Sequence, residues 1–495
     1  MLYLKLSRET LIKSKSPRSN ERTHAADFDT LCFNQRVPRN QGQEWSSVTV
    51  SSLAKKLVGV NNIVIENVEL EATSVGEQIV IRARPRKNAQ CRCGVCGRKC
   101  SRFDHGKGLR RWRAPDLGAG TMIFIEAESP RVNCPEHGVV VQQVPWARHK
   151  SRFTRSFEDT AVWLSLHLSR KAIAEYLQIS WDTVGPMITR VEQELSAGRS
   201  RFDGLVNIAI DETSYKKGHK YLTLILNHDT NAVVWAGKGY GKAVLEQFFT
   251  LLTPEQRQRI HLVSGDGAQW IKNTVYAYCP NATFCIDPFH VVSWCTELLD
   301  AVRKEEWNKA RMELAAERKG QPKRGRGRQK CGQTEKTAAE QRVETVKSAK
   351  YPLLMNPDNL NERYKTKLQQ ILLRDRRLAT AYRLKEDLRL IFKLPVEEVG
   401  AAIEKWRRRA WSCRIPQFVE LQRKIKRHKN AILATIRYGI SNARMEATNN
   451  KVKLTLRMAY GFRNIDHLIS AIFLRCGNLP IYLPARQPLP ATHTL

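Results

Sequence analysis

The chain has 495 residues, and its 83 Lys and Arg outnumber 48 Asp and Glu to give a formal net charge of +35. Length implies several domains, and so large a cationic excess points to a polyanionic partner, nucleic acid before any other. A hydrophobic content of 42% excludes a disordered basic protein, no apolar run reaches the roughly 18–20 residues of a membrane span, and no signal peptide is visible. Twelve cysteines in such a chain read as reduced thiols, some of them metal ligands, in a cytoplasmic protein.

Residues 1–49 are polar, aperiodic and poor in aliphatic side chains, so disorder is expected there. No Met falls between Met1 and Met122, so translation could begin at a non-Met codon near Val48 or Val50, which would make the leader spurious. A mature N-terminal peptide beginning at Met1 would contradict that. From Leu53 the alternating apolar segments predict one short helix and two strands.

Cysteine then clusters between Cys91 and Cys134. Cys93-x-x-Cys96 and Cys134-x-x-His137 are two tight ligand pairs a few dozen residues apart, the pattern of a tetrahedral zinc site. Gly97 and Gly138 follow the pairs and permit the turns. The intervening "GLRRWRAPDLGAGTMIFIEAESPRV" predicts a hairpin carrying Arg110, Arg111 and Arg113 beside Trp112. Buried free thiols are the alternative, and Cys91 and Cys100 leave the choice of ligands open. Four protein ligands would close the ion's coordination, so one Zn2+ here is structural.

A helical stretch is expected from about 154 to 195, and "LSRKAIAEYLQISWDTVGPMITRVEQEL" within it has the shape of a helix-turn-helix. Ala172, Ile173, Ala174 and Leu177 supply the first apolar face. Ser180 could cap the second helix, along which Trp181, Val184, Ile188 and Val191 recur. Such a helix enters the major groove by its N-terminal part, which makes Trp181, Thr183 and Arg190 the candidate DNA contacts. Pro186 is awkward in a helix interior, and a plain helical spacer is the alternative.

Five β-type runs follow, with one amphipathic helix, "AVLEQFFTLL", expected between the third and fourth, as in a mixed α/β sheet. One run ends in Asp211 with Glu212 directly after it, and another ends in Asp266 between Gly265 and Gly267. A carboxylate closing an apolar strand is costly unless paired or metal-bound, whereas Asp before Gly is also ordinary turn chemistry. Two such strands side by side could place both acids on a pair of Mg2+ ions, an arrangement suited to phosphodiester chemistry. Glu446 is the candidate third ligand. On a helix it shares a face with Asn449, Asn450, Lys453 and Arg457, while Met445, Val452, Leu456 and Ala459 form an apolar stripe. Compensation of the helix dipole is the other reading of Glu446. Between these motifs, 297–438 reads as charged and helical, with a Gly/Arg/Lys tract at 320–330 expected as a solvated loop.

With these residues in view, the chain resembles the ISL-three family of bacterial insertion-sequence transposases. The likeness runs in order through "CGVCG", "RVNCPEHGVVVQQVPWA", "FTRSFE", "ISWDTV", "IAIDETSYKKGHKY", "VSGDGAQWI", "IDPFHVV", "NPDNL", "AYRLKEDLR" and "SNARMEATNNKVKLTLRMAYGFRN", covering roughly residues 50–480. The resemblance implies a multidomain α/β protein whose RNase H-like core is interrupted by an α-helical insertion. Its parts would be a zinc-binding segment at 50–148, a helix-turn-helix at 149–200, core at 201–296, insertion at 297–438, the Glu-bearing helix at 439–478 and a tail at 479–495. It also implies Asp211, Asp266 and Glu446 as the catalytic triad on two Mg2+ or Mn2+ ions, and zinc at Cys93, Cys96, Cys134 and His137. Asp287 is the rival for the second position, with Asp266 preferred because it follows the fourth strand and Asp287 the fifth. The expected partners are double-stranded DNA, both element ends and target, and further copies of the chain assembled on it; no membrane is expected. Asn450, Lys453 and Arg457 would hold phosphates. A domesticated DNA-binding regulator and an RNase H-like nuclease without strand transfer are the competing functions.

Overall fold

The computed structural model describes residues 49–74, 76–118, 120–319, 336–440 and 443–484. The leader at 1–48, the basic tract at 320–330 and the end of the tail, 485–495, lie outside the described residues. No helix among those described is long and apolar enough to cross a membrane.

The N-terminal part opens with α1 (Val50–Val58), β1 (Ile63–Thr73) and β2 (Gly76–Pro85), the helix and two strands that the apolar pattern predicts. After β3 (Ser101–Asp104) comes the expected hairpin, β4 (Leu109–Leu117) and β5 (Thr121–Glu128), which joins the first two strands in the order β1-β2-β5-β4. Short strands β6 (Arg131–Cys134) and β7 (Gly138–Val141) complete a second sheet, β3-β6-β7. Trp112 and Trp146 meet edge to face at 5.6 Å in the core beneath the larger sheet. The arginines beside Trp112 serve the fold: Arg111 pairs with Glu71 and Glu126, and Arg113 with Asp116 and the Gln178 carbonyl.

Three helices follow, α2 (Arg155–Ser165), α3 (Arg170–Leu177) and α4 (Val184–Ser196). Thr154 and Ser169 cap the first two through their hydroxyls. Ser180 does not cap α4. Its hydroxyl bonds Asp182, and the helix starts after Thr183. Pro186 therefore falls in the first turn, where a backbone N–H has no intrahelical acceptor, and it costs no hydrogen bond. The carboxylate of Glu158 on α2, fully buried, accepts from Ser151 (2.7 Å), Arg148 (3.3 Å) and Arg190 (2.9 Å). Removing one partner from such a cluster would leave an uncompensated buried charge, a cost of about 3–5 kcal/mol.

The third unit is built on a five-stranded sheet of order β10-β9-β8-β11-β12. Its strands β8 (Asn207–Lys216), β9 (Lys220–Asn227) and β10 (Val233–Lys238) form an antiparallel meander. Two helices, α5 (Lys242–Thr250) and α6 (Pro254–Arg259), occupy the connection where the sequence suggested one. β11 (Leu262–Gly265), α7 (Gln269–Tyr278) and β12 (Thr283–Ile286) then add strands parallel to β8. Alternation decides the faces: Ile208 and Ile210 join Leu245, Phe248, Ile271 and Val275 on one side, and Ala209 joins Leu222, Leu224 and Leu226 on the other.

Asp287 caps α8 (Pro288–Glu317), with Pro288 in its first turn, so the helical region begins at 288 rather than 297. It continues through α9 (Ala338–Lys347), α10 (Lys350–Leu354), α11 (Glu362–Arg374), α12 (Arg376–Ile391), α13 (Val396–Ser412) and α14 (Pro416–Arg437). The "AYRLKEDLR" motif has a structural use, since buried Lys385 donates to the Leu353 carbonyl at 2.9 Å. α14 returns to the sheet, where the Thr435 hydroxyl donates to the Ile286 carbonyl at 2.7 Å. Finally α15 (Ala443–Met458) and α16 (Ile465–Cys476) cover the Ala209 face through Met445, Val452, Leu468 and Ile472. The opposite side of α16, Ala471 and Leu474, packs on the three-helix unit. That contact requires Gly185, because a Cβ there would stand 2.3 Å from His467 Nδ1.

Candidate active site and metal cluster

Pairing between β8 and β11 stops at Ala209 and Ser264, while β8 continues beside β9 to the Lys216–Lys220 pair. The strand thus does not end at Asp211, as the sequence suggested. Asp211 lies instead where one edge of β8 has become free. Asp266 and Asp287 directly follow β11 and β12, so two carboxylates close adjacent parallel strands and Asp211 sits midway along the neighbouring β8. Open α/β sheets hold their ligands at this edge.

By alternation Asp211 shares the Ala209 face, the one α15 covers, and the Asn449 side-chain amide donates to its Oδ2. Glu446, Asn449, Asn450 and Lys453, spaced for a single helix face, line a cavity of about 820 Å³ together with Asp211, Glu212, Asp287 and His290. His290 links the two candidate second acids: its Nδ1 stands 3.9 Å from Asp266 Oδ1 and its Nε2 3.7 Å from Asp287 Oδ2. Asp287 is buried and accepts from the Phe289 N–H at 3.0 Å, whereas Asp266 keeps 46% of its side chain exposed.

Burial pushes the Asp211 carboxyl above the usual range. Asn449, the Glu212 N–H and His290 oppose that rise, and the negative charge of Asp266 adds to it. Glu212 is likewise raised by burial, with the Gly241 N–H at 2.9 Å opposing. Asn449 Oδ1 is itself a buried acceptor without a hydrogen-bond donor among the described residues. A divalent cation beside Asp211 would relieve both its raised carboxyl and the orphaned Asn449 oxygen; among the described residues these acids do not stand as close together as the Cys93, Cys96, Cys134 and His137 set.

Of the expected DNA contacts, Arg457 lies one turn beyond the cavity on α15 and is exposed. Thr183 is at the start of α4, and Trp181 is partly exposed with the Arg463 guanidinium 4.6 Å over its ring. Arg190, partly exposed, pairs with the buried carboxylate of Glu158 at 2.9 Å. His290 and the amide of Asn449 join the expected acids at this site. The signals were there, since His290 follows Asp287 by one helical turn and Asn449 follows Glu446 by three residues.

The second cluster brings Cys93, Cys96, Cys134 and His137 together, with one ligand atom of each within 4.8 Å of all the others. Ligands about 2.0–2.3 Å from a tetrahedral centre stand roughly 3.5–3.8 Å apart. Cys96 and Cys134 are 3.8 Å apart, and Cys134 Sγ is 3.6 Å from His137 Nδ1. Gly97 and Gly138 adopt positive φ, 70° and 66°, as the two turns require. Hydrogen bonding to His137 brings the Cys134 thiol down to about 6, towards the thiolate a metal needs. Cys91 and Cys100, the competing thiols, flank this group outside the four-ligand set.

Comparison with known proteins gives three family matches in chain order. They are the zinc-finger of transposase IS204/IS1001/IS1096/IS1165 at residues 89–137, the helix-turn-helix domain of transposase family ISL3 at 142–191, and the ISL3 transposase domain at 208–472. The transposase for insertion sequence element IS1557 of Mycobacterium tuberculosis, in strains CDC 1551 / Oshkosh and ATCC 25618 / H37Rv, is 44% identical over 441 residues, 88% of this chain and 98% of the relative. The transposase for insertion sequence element IS1001 of Bordetella parapertussis is 25% identical over 383 residues, 77% of this chain and 87% of the relative. A zinc-ribbon, a DNA-binding helix-turn-helix and a transposase domain thus follow one another as the sequence suggested, and the chain belongs to the ISL3 family of insertion-sequence transposases.

Proposed function

We propose that Asp211, Asp266 and Glu446 form the cleavage and strand-transfer site of this transposase, on a core of RNase H-like type interrupted by the helices between β12 and α15. The observation that carries the reading is the meeting of Asp211 and the Glu446–Asn449 face of α15 on one cavity at the carboxyl edge of the parallel strands. The strand order, three antiparallel strands followed by two parallel ones, supports the assignment of the core.

Two Mg2+ or Mn2+ ions bound there would supply Lewis acidity to the phosphodiester and lower the pKa of an attacking water. The chain's own residues do the rest. Asp211, Asp266 and Glu446 are the oxygen ligands, and Asn449 steers Asp211 by its amide. His290 orients Asp266, while Asp287 remains the α8 cap. Lys453, Asn450 and Arg457 hold phosphates along α15. Hydrolysis at an element end frees a 3′-hydroxyl, which attacks a phosphodiester of target DNA, so one P–O bond forms as another breaks. One Zn2+ held by Cys93, Cys96, Cys134 and His137 fixes the ribbon. The helix-turn-helix places the double-stranded ends through Thr183 and Trp181, and a homo-oligomer brings two ends together.

The test uses labelled duplexes carrying the element's own ends, taken from the DNA that flanks its gene. Glu446→Gln and Asp266→Asn should bind these ends as the parent does and lose strand cleavage, whereas Asp287→Asn should retain it. Full Mg2+-dependent cleavage by Glu446→Gln would remove that residue from the mechanism. Cleavage lost with Asp287→Asn and kept with Asp266→Asn would give the second position to Asp287.

A further inference from the structure

A second concave site lies at the other end of the elements that carry the acids. From Asp211, β8 continues to Lys216, and from Glu446, α15 continues to Met458, just before Tyr460 and Phe462. Where they end, a groove of about 910 Å³ opens between them and α3, lined by Arg170, Trp181, Lys216, Tyr460, Phe462 and Arg463 among others.

Arg170 is only 8% exposed, yet its Nε and Nη2 have no hydrogen-bond partner. The face of Phe462, 3.9 Å from its guanidinium carbon, offsets part of that cost. Burial shifts its titration downward, and among the described residues no carboxylate opposes that shift. A buried, unpaired cation is expensive, and an anion seated in the groove would relieve it. Around it stand Lys216 and Arg463, and the acid lining the groove, Glu175, pairs with Lys171 at 3.7 Å. Tyr460, 86% exposed, and Trp181, 41% exposed, offer flat apolar surface in the same place. The adjoining cavity shares Lys216, Phe462 and Arg463 and continues over Lys220, Lys238 and Tyr240. Cations alternating with exposed rings along a concave track suit single-stranded nucleic acid, whose bases stack and whose phosphates pair. A groove of this volume falls within the roughly 300–1,000 Å³ range of small-ligand pockets and has room for a nucleotide.

The distance is informative as well. Asp211 to Lys216 spans about 17 Å of strand, and Glu446 to Met458 about 18 Å of helix, which is roughly five nucleotides of one DNA strand. We propose that the groove holds a nucleotide drawn out of the DNA duplex, its base against Trp181 and Tyr460 and its phosphate against Arg170, about five nucleotides from the bond cut at the carboxylates. The proposal rests on the cleavage site argued above. The DNA would be opened near the element end, and the cost of unstacking would fall for a base already unpaired.

Full-length protein and end duplexes with one unpaired thymine, moved a position at a time along either strand, test this in a binding titration. The expected result is about tenfold tighter binding when the unpaired base lies some five nucleotides from the cut, an advantage that, measured against each protein's own binding to the fully paired duplex, is lost in both Trp181→Ala and Tyr460→Ala. Tyr460 is so exposed that its substitution leaves folding intact, which keeps the test valid if Trp181→Ala is unstable. No preferred position, or a preference that survives both substitutions, overturns the proposal. Cleavage of the paired duplex is scored in parallel. Normal cleavage without an unpaired-base preference sinks the groove alone, and no cleavage by the parent protein sinks the carboxylate reading and this proposal with it.

Discussion

The zinc cluster and the carboxylate site are built in opposite ways. Each half of the first is a tight turn: Cys93 and Cys96 sit before Gly97, and Cys134 and His137 before Gly138, so local backbone geometry makes two ligands at a time. The second, as proposed, would draw on distant elements: Asp211 of β8, His290 of α8 and Glu446 of α15 line one cavity, and Asp266, after β11, stands 3.9 Å from His290. A local site can form from its ion and a few turns, whereas a distributed one depends on the packing of every element between its members.

Removing zinc should separate the two most strongly. Structural zinc contributes about 10–16 kcal/mol in isolated zinc-finger peptides, so Cys134→Ala or chelation should melt the ribbon while the five-stranded sheet survives. Hydrogen exchange would show protection lost over 91–141 and kept over β8 to β12. Protection lost in both at once would mean that the core leans on the ribbon.

A smaller effect acts on the distributed half. His228, His428 and His467 are held neutral by burial, their ring pKa values pushed below the ordinary 6.5. As pH falls the unfolded chain takes up these protons first. Their contribution to stability is therefore complete above about 6.5 and is lost as pH drops through each lower folded value. Thermal unfolding of the core should come several degrees earlier at pH 5.5 than at pH 7.5, roughly 2–4 °C for each kcal/mol lost. An unchanged midpoint would show that the rings accept protons without penalty in the fold.

The same contrast explains what the sequence made readable. Cys93, Cys96, Cys134 and His137 stood out because ligand spacing within a turn is a local signal. The five strands, the helix bearing Glu446 and its Asn449–Lys453 face were legible from periodicity, since apolar residues at strand and helix spacing mark the buried side. The pairing of Arg190 with Glu158 was not legible, because the partner lies on another helix. The bond from Asn449 to Asp211 and the seat of His290 between two acids join elements far apart in the chain, and spacing alone carries no such information. Ser180 has the residue type of a helix cap, but its hydroxyl bonds Asp182 and α4 begins after Thr183 without a side-chain cap, which sequence alone does not reveal.

The central claim is that one metal site draws its ligands from β8, the end of β11 and α15. The most direct test replaces Mg2+ by Fe2+ and maps where locally generated hydroxyl radicals cut the polypeptide. Cuts clustered at Asp211, at Asp266 and at Glu446, suppressed by excess Mg2+, are the predicted result. A pattern that spares the start of α15, or that falls only on the zinc cluster, would contradict it.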